Sequence, residues 1–421
     1  MRRVFQTLAV IAPAGAAILL LASHRVAGAA PGCDPDNGGL TLPAGFCATV
    51  FSSTVPSVRN LIVAPNGDVI VGGTGRARGV RILRDVDHDG HADTMTTFGQ
   101  GYGSGTGVAI SGDALFFSPN NEVVRFAWKP GMMMPSDTGM VIVHDLPVGG
   151  DHSWKTMALA KDGGLFVDHG SGDNSCQEAN RKLKSPGKNP CAELDIRGGT
   201  WRYDSHGTNQ TPSVDKRWDT GFRNGEAIAI DPQTGVLWGA THGRDELGDN
   251  WGFSDEDNAE KPAEEFGMLP KGADYGWPYC YFDPATRKKV QAPEYGGDGI
   301  KQGDCATKTQ PVIGFPGHWA PMQLAFVPTG NSFGGEFREG AFLAFHGSWN
   351  RAPLPQAGFR VVFMPFTGGK ATGAYSTFAT MGGDYTQFRA SGVAFAPDGS
   401  ALYIGSDARG KIWRVIKTPG R

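Results

Sequence analysis

Val63-Ala64-Pro65-Asn66-Gly67-Asp68-Val69-Ile70-Val71 reads as two short apolar strands on either side of a tight turn. Asn-Gly supplies the positive φ that a two-residue hairpin turn needs. The phrase recurs as VAISGDALFF at 108–117, LAKDGGLFV at 159–167, IDPQTGVLW at 230–238, FVPTGNSF at 326–333 and FAPDGSALYI at 395–404. The closest turn glycines lie about 45 residues apart, the length of a four-stranded propeller blade. Six phrases therefore predict an all-β fold, a six-bladed β-propeller of four-stranded antiparallel blades with long inter-strand insertions. The C-terminal strands 401–405 and 411–415 are expected to share the last blade with 46–51, because ring closure removes exposed strand edges.

In a propeller, the start of each innermost strand and the end of the strand after it converge on one mouth of the central channel. Arg59, His152, Arg223, His318 and Arg389 stand just ahead of inner strands. Asp168-His169-Gly170, Thr241-His242-Gly243-Arg244, Phe345-His346-Gly347 and Ser406-Asp407 follow second strands. Small and apolar groups would suffice to plug a structural channel. Arginine and histidine instead point to an anionic ligand and a proton acceptor.

The formal net charge is −3, which argues against nucleic acid or an acidic polymer as partner. Arg2-Arg3, the apolar stretch 8–22 and Ala27-Gly28-Ala29 read as a cleaved signal peptide over 1–29, ahead of one propeller domain over 30–421. The apolar stretch is too short and broken for stable membrane insertion, so a periplasmic or secreted location is expected. Six cysteines remain, Cys33, Cys47, Cys176, Cys191, Cys280 and Cys305. Such a set permits fifteen pairings, and proximity favours Cys33–Cys47, Cys176–Cys191 and Cys280–Cys305.

The longest insertion, from Arg244 to about His318, carries Tyr275-Gly276-Trp277-Pro278. Its two aromatics either stack on a sugar ring at the mouth or pack under the loop. Asp85-Val86-Asp87-His88-Asp89-Gly90-His91-Ala92-Asp93 alternates carboxylates like a calcium loop, but Thr96 stands where the closing glutamate belongs, so it reads as a plain turn. The sequence has no P-loop, GxSxG elbow or HExxH, and no CxxCH haem motif.

Five motifs, in chain order, carry a resemblance: Gly150-Asp151-His152, Gly221-Phe222-Arg223-Asn224, His242-Gly243-Arg244-Asp245-Glu246, Tyr275-Gly276-Trp277-Pro278 and His346-Gly347-Ser348-Trp349-Asn350-Arg351. Together they resemble the soluble pyrroloquinoline-quinone (PQQ) sugar dehydrogenases, in particular the sorbosone or pyranose dehydrogenase branch. The resemblance implies PQQ and calcium as cofactors, a sugar substrate and a separate electron acceptor, a cytochrome or a quinone. His152 would be the catalytic base, with Asp151 orienting its ring. Arg59, Arg223, Asn224, His242 and Arg389 would hold the quinone, whose three carboxylates call for arginines. Calcium would sit on the backbone carbonyls of Gly243 and Arg244. Tyr275, Trp277 and His318 would face the sugar.

Two departures qualify it. Gln387 precedes Arg389 where glucose-specific members carry a second arginine, and a family cofactor lysine is missing; Arg351 and His346 are expected to fill that gap. Trp319 and Trp349 read as packing residues. Competing functions are a calcium-dependent sugar lactonase, which would need carboxylates converging on the metal, and a non-catalytic binding propeller.

Overall fold

A computed structural model describes residues 32–383 and 386–418, so the expected signal peptide lies outside the described residues. Six inner strands, Leu61–Val63, Gly105–Ser111, Met157–Leu159, Ala227–Ile230, Pro321–Phe326 and Ala390–Phe395, form a closed ring, each against its two neighbours. From each, the chain meanders outward through antiparallel strands, which makes a six-bladed propeller. In five blades the first hairpin turns at the glycine anticipated for it; in the fifth, Gly330 opens a longer connection and the second strand is Gly340–Phe345, not the expected run just after the turn. Gly67, Gly112, Gly163, Gly235, Gly330 and Gly399 all have φ between 55° and 91°, where a side chain is strained.

The third blade has three named strands, Met157–Leu159, Gly164–His169 and Gly199–Asp204. A single bridge from Trp201 to Arg217 stands beside its third strand. The ring closes as expected: Phe46–Ser52 pairs antiparallel with Lys411–Lys417 in the last blade. A second N-terminal strand, Leu40–Thr41, also pairs with Ser376–Met381 on the outside of the fifth blade.

Blade faces pack against each other, so strands such as Val69–Val71 are buried at every residue. The largest inter-blade core joins Phe46, Phe333, Phe337, Phe342, Phe378 and Phe395 between the fifth and sixth blades. Burying each such ring stabilises the fold by roughly 1.5–3 kcal/mol. The channel of about 380 Å³ along the axis is lined by apolar residues such as Ile62, Val108, Leu159, Ile228 and Phe395, so the charge gathers at one mouth.

All three proximal disulfides form, Cys33–Cys47, Cys176–Cys191 and Cys280–Cys305. Each staples a segment outside the blade hairpins. Cys280–Cys305 ties down the two-stranded ribbon of Cys280–Asp283 and Lys288–Gln291. In the turn 85–93, Asp85, Asp87 and Asp89 each bring a ligand atom within 4.8 Å of the others, and the Asp89 and Gly90 N–H groups donate to Asp85. Among the described residues, no helix is long and apolar enough to cross a membrane.

Candidate active site

The mouth residues open onto a cleft with two connected lobes. One, of about 530 Å³, is lined by Arg59, Asn224, His346 and Arg389. The other, of about 430 Å³, is lined by Arg181, Arg223, Asp245, Glu246 and His318. Asp151, His152, His242, Ala320, Ser348 and Trp349 border both lobes.

His152 sits where two glycines allow close approach. A Cβ at Gly150, whose φ is 76°, would lie 2.0 Å from the Gly172 carbonyl. A Cβ at Gly170 would lie 2.6 Å from the His152 Cβ and 2.7 Å from Asn224 Oδ1. Ser171 donates its hydroxyl proton to the Asp173 carbonyl at 2.7 Å, which leaves its oxygen as an acceptor. His152 Nδ1–H therefore donates to Ser171 Oγ at 2.9 Å and to the Ser171 carbonyl at 3.2 Å. This sets the tautomer: Nε2 carries the lone pair and has no hydrogen-bond partner among the described residues. Burial, then the charges of Arg223 and His242, holds the imidazole well below the ordinary histidine range, so it is neutral.

Asp151 does not orient this ring. Its carboxylate pairs with Arg181, with Nε at 2.9 Å and Nη2 at 2.8 Å. Asp151 lies in a bend after the positive-φ Gly149 and Gly150, and its neighbour in sequence does not share its partner. Ser171 takes the role expected of it. The loop carrying Ser171 is in turn held by Glu193, which accepts from Gly172 N–H at 2.6 Å. Burial and the adjacent Asp173 push the Glu193 carboxyl up to about 7.

The larger lobe brings the guanidiniums of Arg59 and Arg389 beside the carboxylates of Asp151 and Glu226. Arg389 Nη2 donates to His346 Nδ1 at 2.7 Å, and His346 Nε2–H donates to Asp407 at 2.9 Å. Asp407 also faces Arg59 Nη1 at 3.7 Å. Burial holds His346 below its usual range; Glu226 adds a further carboxylate to this lobe. Arg59 Nε is buried with no hydrogen-bond partner among the described residues, and so is Asn224 Oδ1. Asn224 Nδ2 donates to His242 Nδ1 at 3.3 Å while His242 Nε2–H donates to the Pro321 carbonyl at 2.7 Å. The unpartnered buried N–H of Arg59 suits a carboxylated ligand.

Several expected site residues do other work. Arg351 donates to the carbonyls of Ala259, Gly317 and Pro355 and pairs with Glu260, so it anchors its loop and lies outside the cleft lining. Arg223 lines the smaller lobe, but its guanidinium is taken up by the Asn174 carbonyl and side chain, the Gly243 carbonyl and Asp245. Tyr275 is buried against Phe222, and its hydroxyl donates to the Met268 carbonyl. Trp277 packs on the Cys176–Cys191 disulfide and donates to the Asn174 carbonyl at 3.0 Å. Both aromatics are core under the loop, not sugar platforms. His318 does line the smaller lobe, but its Nε2–H is held by the Asn258 and Lys261 carbonyls at 2.9 and 3.1 Å.

The residues expected to ligate calcium do not fit it as arranged. Calcium takes six to eight oxygens. The Gly243 carbonyl already accepts from Arg223 Nη1 at 2.7 Å, which sets a cation where the dication would bind. The Arg244 side chain points away into a buried pair with Glu294 at 2.6 Å. Two groups escaped the sequence reading, Ser171 behind His152 and Arg181 in the smaller lobe, and Trp349 is not the packing residue expected. Trp349 is 59% exposed and borders both lobes.

The six-bladed propeller thus places a neutral histidine with a free Nε2 beside a lobe that Arg59 and Arg389 line. The chain belongs to the TrAA12-like family, whose model matches residues 40–418. A pyrroloquinoline quinone-dependent pyranose dehydrogenase from Coprinopsis cinerea is 26% identical over 198 residues, 39% of this chain and 26% of that protein. The chain thus spans about a quarter of the length of that curated relative. A calcium structure of the Trichoderma reesei carbohydrate-active enzyme of family AA12 superposes with a TM-score of 0.74 at 20% identity, covering 90% of this chain and 98% of that one. The holo PQQ domain of the Coprinopsis cinerea pyranose dehydrogenase gives 0.72 at 18% identity, covering 90% and 97%. These two likenesses are of fold.

Proposed function

We propose that this chain is a PQQ-dependent dehydrogenase that oxidises a pyranose or related aldose and passes the electrons to a separate acceptor. The observation that carries the reading is His152 Nε2, a neutral, unpartnered acceptor opening on a lobe whose arginines suit a carboxylated quinone. When bound, the quinone supplies a two-electron acceptor for hydride. The chain's own part is positioning and proton handling. Arg59 and Arg389 hold carboxylates of the cofactor, and Asn224 Oδ1 is an acceptor for a donor brought in by cofactor or sugar.

His152 takes the substrate hydroxyl proton at Nε2 while Nδ1–H stays on Ser171, so the ring keeps its orientation through the transfer. The buried imidazolium is disfavoured and gives the proton up again readily. The Arg223 guanidinium on the Gly243 carbonyl opposes a dication at that oxygen. The lactonase reading is weakened because Asp151, Asp245 and Glu246 all pair with Arg181 rather than converging as a metal cage. Three disulfides support export to an oxidising compartment.

The test is to load the protein with PQQ, with and without calcium, add a panel of pyranoses, sorbosone and simple alcohols, and follow the quinone spectrum and dye reduction. Reduction of the quinone by a sugar supports the reading. Lactone hydrolysis without quinone, or no reduction by any member of the panel, overturns it.

A further inference from the structure

We infer that Lys155, Asp168 and Glu226, grouped under the larger lobe, take up a proton when a carboxylated ligand binds there. The inference rests on the reading of that lobe as the seat of a carboxylated cofactor, and is independent of whether a sugar is oxidised. Glu226 is 6% exposed and lines the lobe together with Arg59 and Arg389. Among the described residues it accepts only a long hydrogen bond, from Asn224 Nδ2 at 3.4 Å. A carboxylate so placed repels the same anion that the two arginines attract.

Two buried groups stand behind it at the seam of the third and fourth blades. Lys155 precedes the inner strand Met157–Leu159, and Glu226 precedes the inner strand Ala227–Ile230. Asp168 lies near the end of Gly164–His169. Asp168 Oδ1 accepts from Gly225 N–H at 2.9 Å, and the Thr156 hydroxyl donates to the Gly225 carbonyl at 3.1 Å. The residue before Glu226 is therefore clamped on both sides. Asp168 Oδ2 is buried without a hydrogen-bond partner among the described residues. Lys155 has no exposed surface and gives one of its three donors to the Ser153 carbonyl at 2.8 Å. Such incompletely bonded charges are costly in the interior.

Two carboxylates and one lysine in a dry site do not all keep their ordinary charge. Burial pulls the Lys155 ammonium down to about 7, against the attraction of Asp168, and pushes the Asp168 carboxyl up. Arg197 and Asp219 act on the group from behind, while burial keeps His169 neutral. The site therefore exchanges a proton near neutral pH, and that proton belongs to the three groups jointly. An anion seated beside Glu226 adds negative potential across a low dielectric, which favours the protonated form. The proton comes from the buffer, and nothing is oxidised or reduced in the step. On the lobe side the other titratable groups are Asp151, His152, His242 and His346, with Arg59 and Arg389 as fixed charges.

The experiment is calorimetric titration with PQQ and, separately, with benzene-1,2,4-tricarboxylate, which has no redox chemistry. Each is run at pH 7 and 8 in buffers of different ionisation enthalpy, which counts the protons exchanged. Wild type is expected to take up about half a proton to one proton, with affinity falling about three- to tenfold from pH 7 to 8. Glu226→Gln and Lys155→Met should each bind with less than about a fifth of a proton and a nearly flat pH dependence. Asp151→Asn and His152→Ala should keep the uptake. No uptake by wild type overturns the inference, and so does uptake that survives Glu226→Gln or vanishes in Asp151→Asn or His152→Ala. Glu226→Gln, whose side chain faces the cleft, decides the matter where Lys155→Met does not fold. Binding with uptake but no sugar oxidation keeps the inference and sinks the dehydrogenase reading. Oxidation with binding free of proton exchange does the reverse, and failure of both probes to bind overturns the inference together with the reading of the lobe.

Discussion

Ser171→Ala and Asp151→Asn together test how the base is held. Ser171→Ala removes the acceptor at 2.9 Å from His152 Nδ1 but leaves the backbone carbonyl at 3.2 Å, so one of two partners is lost. A net hydrogen bond of about 0.5–1.5 kcal/mol corresponds to a fall in kcat of about two- to tenfold, since about 1.4 kcal/mol is one decade. Asp151→Asn should leave the imidazole untouched, because that carboxylate faces Arg181; any effect should fall on KM through the cleft wall. His152→Ala sets the ceiling, a loss on the order of a hundred- to ten-thousand-fold in kcat with quinone affinity kept. The assay is steady-state dye reduction by PQQ-loaded protein from pH 4.5 to 8. Because burial lowers the pKa of His152, activity should persist below pH 6.5 and be lost only as more acid conditions protonate the ring. A drop of several hundredfold for Asp151→Asn with Ser171→Ala near wild type would refute this account of the base.

The arginines should separate by readout: Arg59→Ala or Arg389→Ala should weaken quinone binding by about a hundredfold at nearly constant melting temperature. Arg223→Ala should instead lower stability by about 1–3 kcal/mol in denaturant titration, since it removes the donor to the Asn174 and Gly243 carbonyls. Glu193 carries a raised carboxyl pKa, so its contribution to stability is present in acid and is lost as pH rises through about 7. Calorimetry should thus show the melting temperature of wild type falling between pH 5 and 8 relative to Glu193→Gln, and parallel curves would count against it. Replacing Cys280 and Cys305 by serine should cost about 2–4 kcal/mol and loosen the ribbon 280–291 first, as seen by hydrogen exchange.

The propeller was legible because its signal is local and repeated: each glycine turn needs a positive φ that few residues tolerate, and the sequence shows that need at every blade. Mouth positions followed from the same period, which is why Arg59, His152 and Arg389 stand in the cleft. Partners were not legible. Asp151 is next to His152 in sequence, yet it sits in a bend and pairs with Arg181 from a distant insertion. Arg351 and Arg223 have the charge for a cofactor but lie among backbone carbonyls that only the folded insertions bring together. Tyr275 and Trp277 were open to either reading, and packing decided it. Arg181 and Trp349 come from long insertions without periodicity, where residue type says little about exposure.

The pairing of Phe46–Ser52 with Lys411–Lys417 gives this chain an assembly order. Phe46–Ser52 must wait for Lys411–Lys417, across nearly the whole length of the chain, before it has a strand partner. Until then two blade edges stand open and can recruit other chains, which is the hazard of contacts so distant in sequence. The Cys33–Cys47 link spans 14 residues and can form early, holding the waiting strand beside its own leader segment. A chain released a few residues short of Lys417 would have five blades built and a sixth that cannot close. Quality control of this protein therefore rests on its final strand, far in sequence from the histidine it serves.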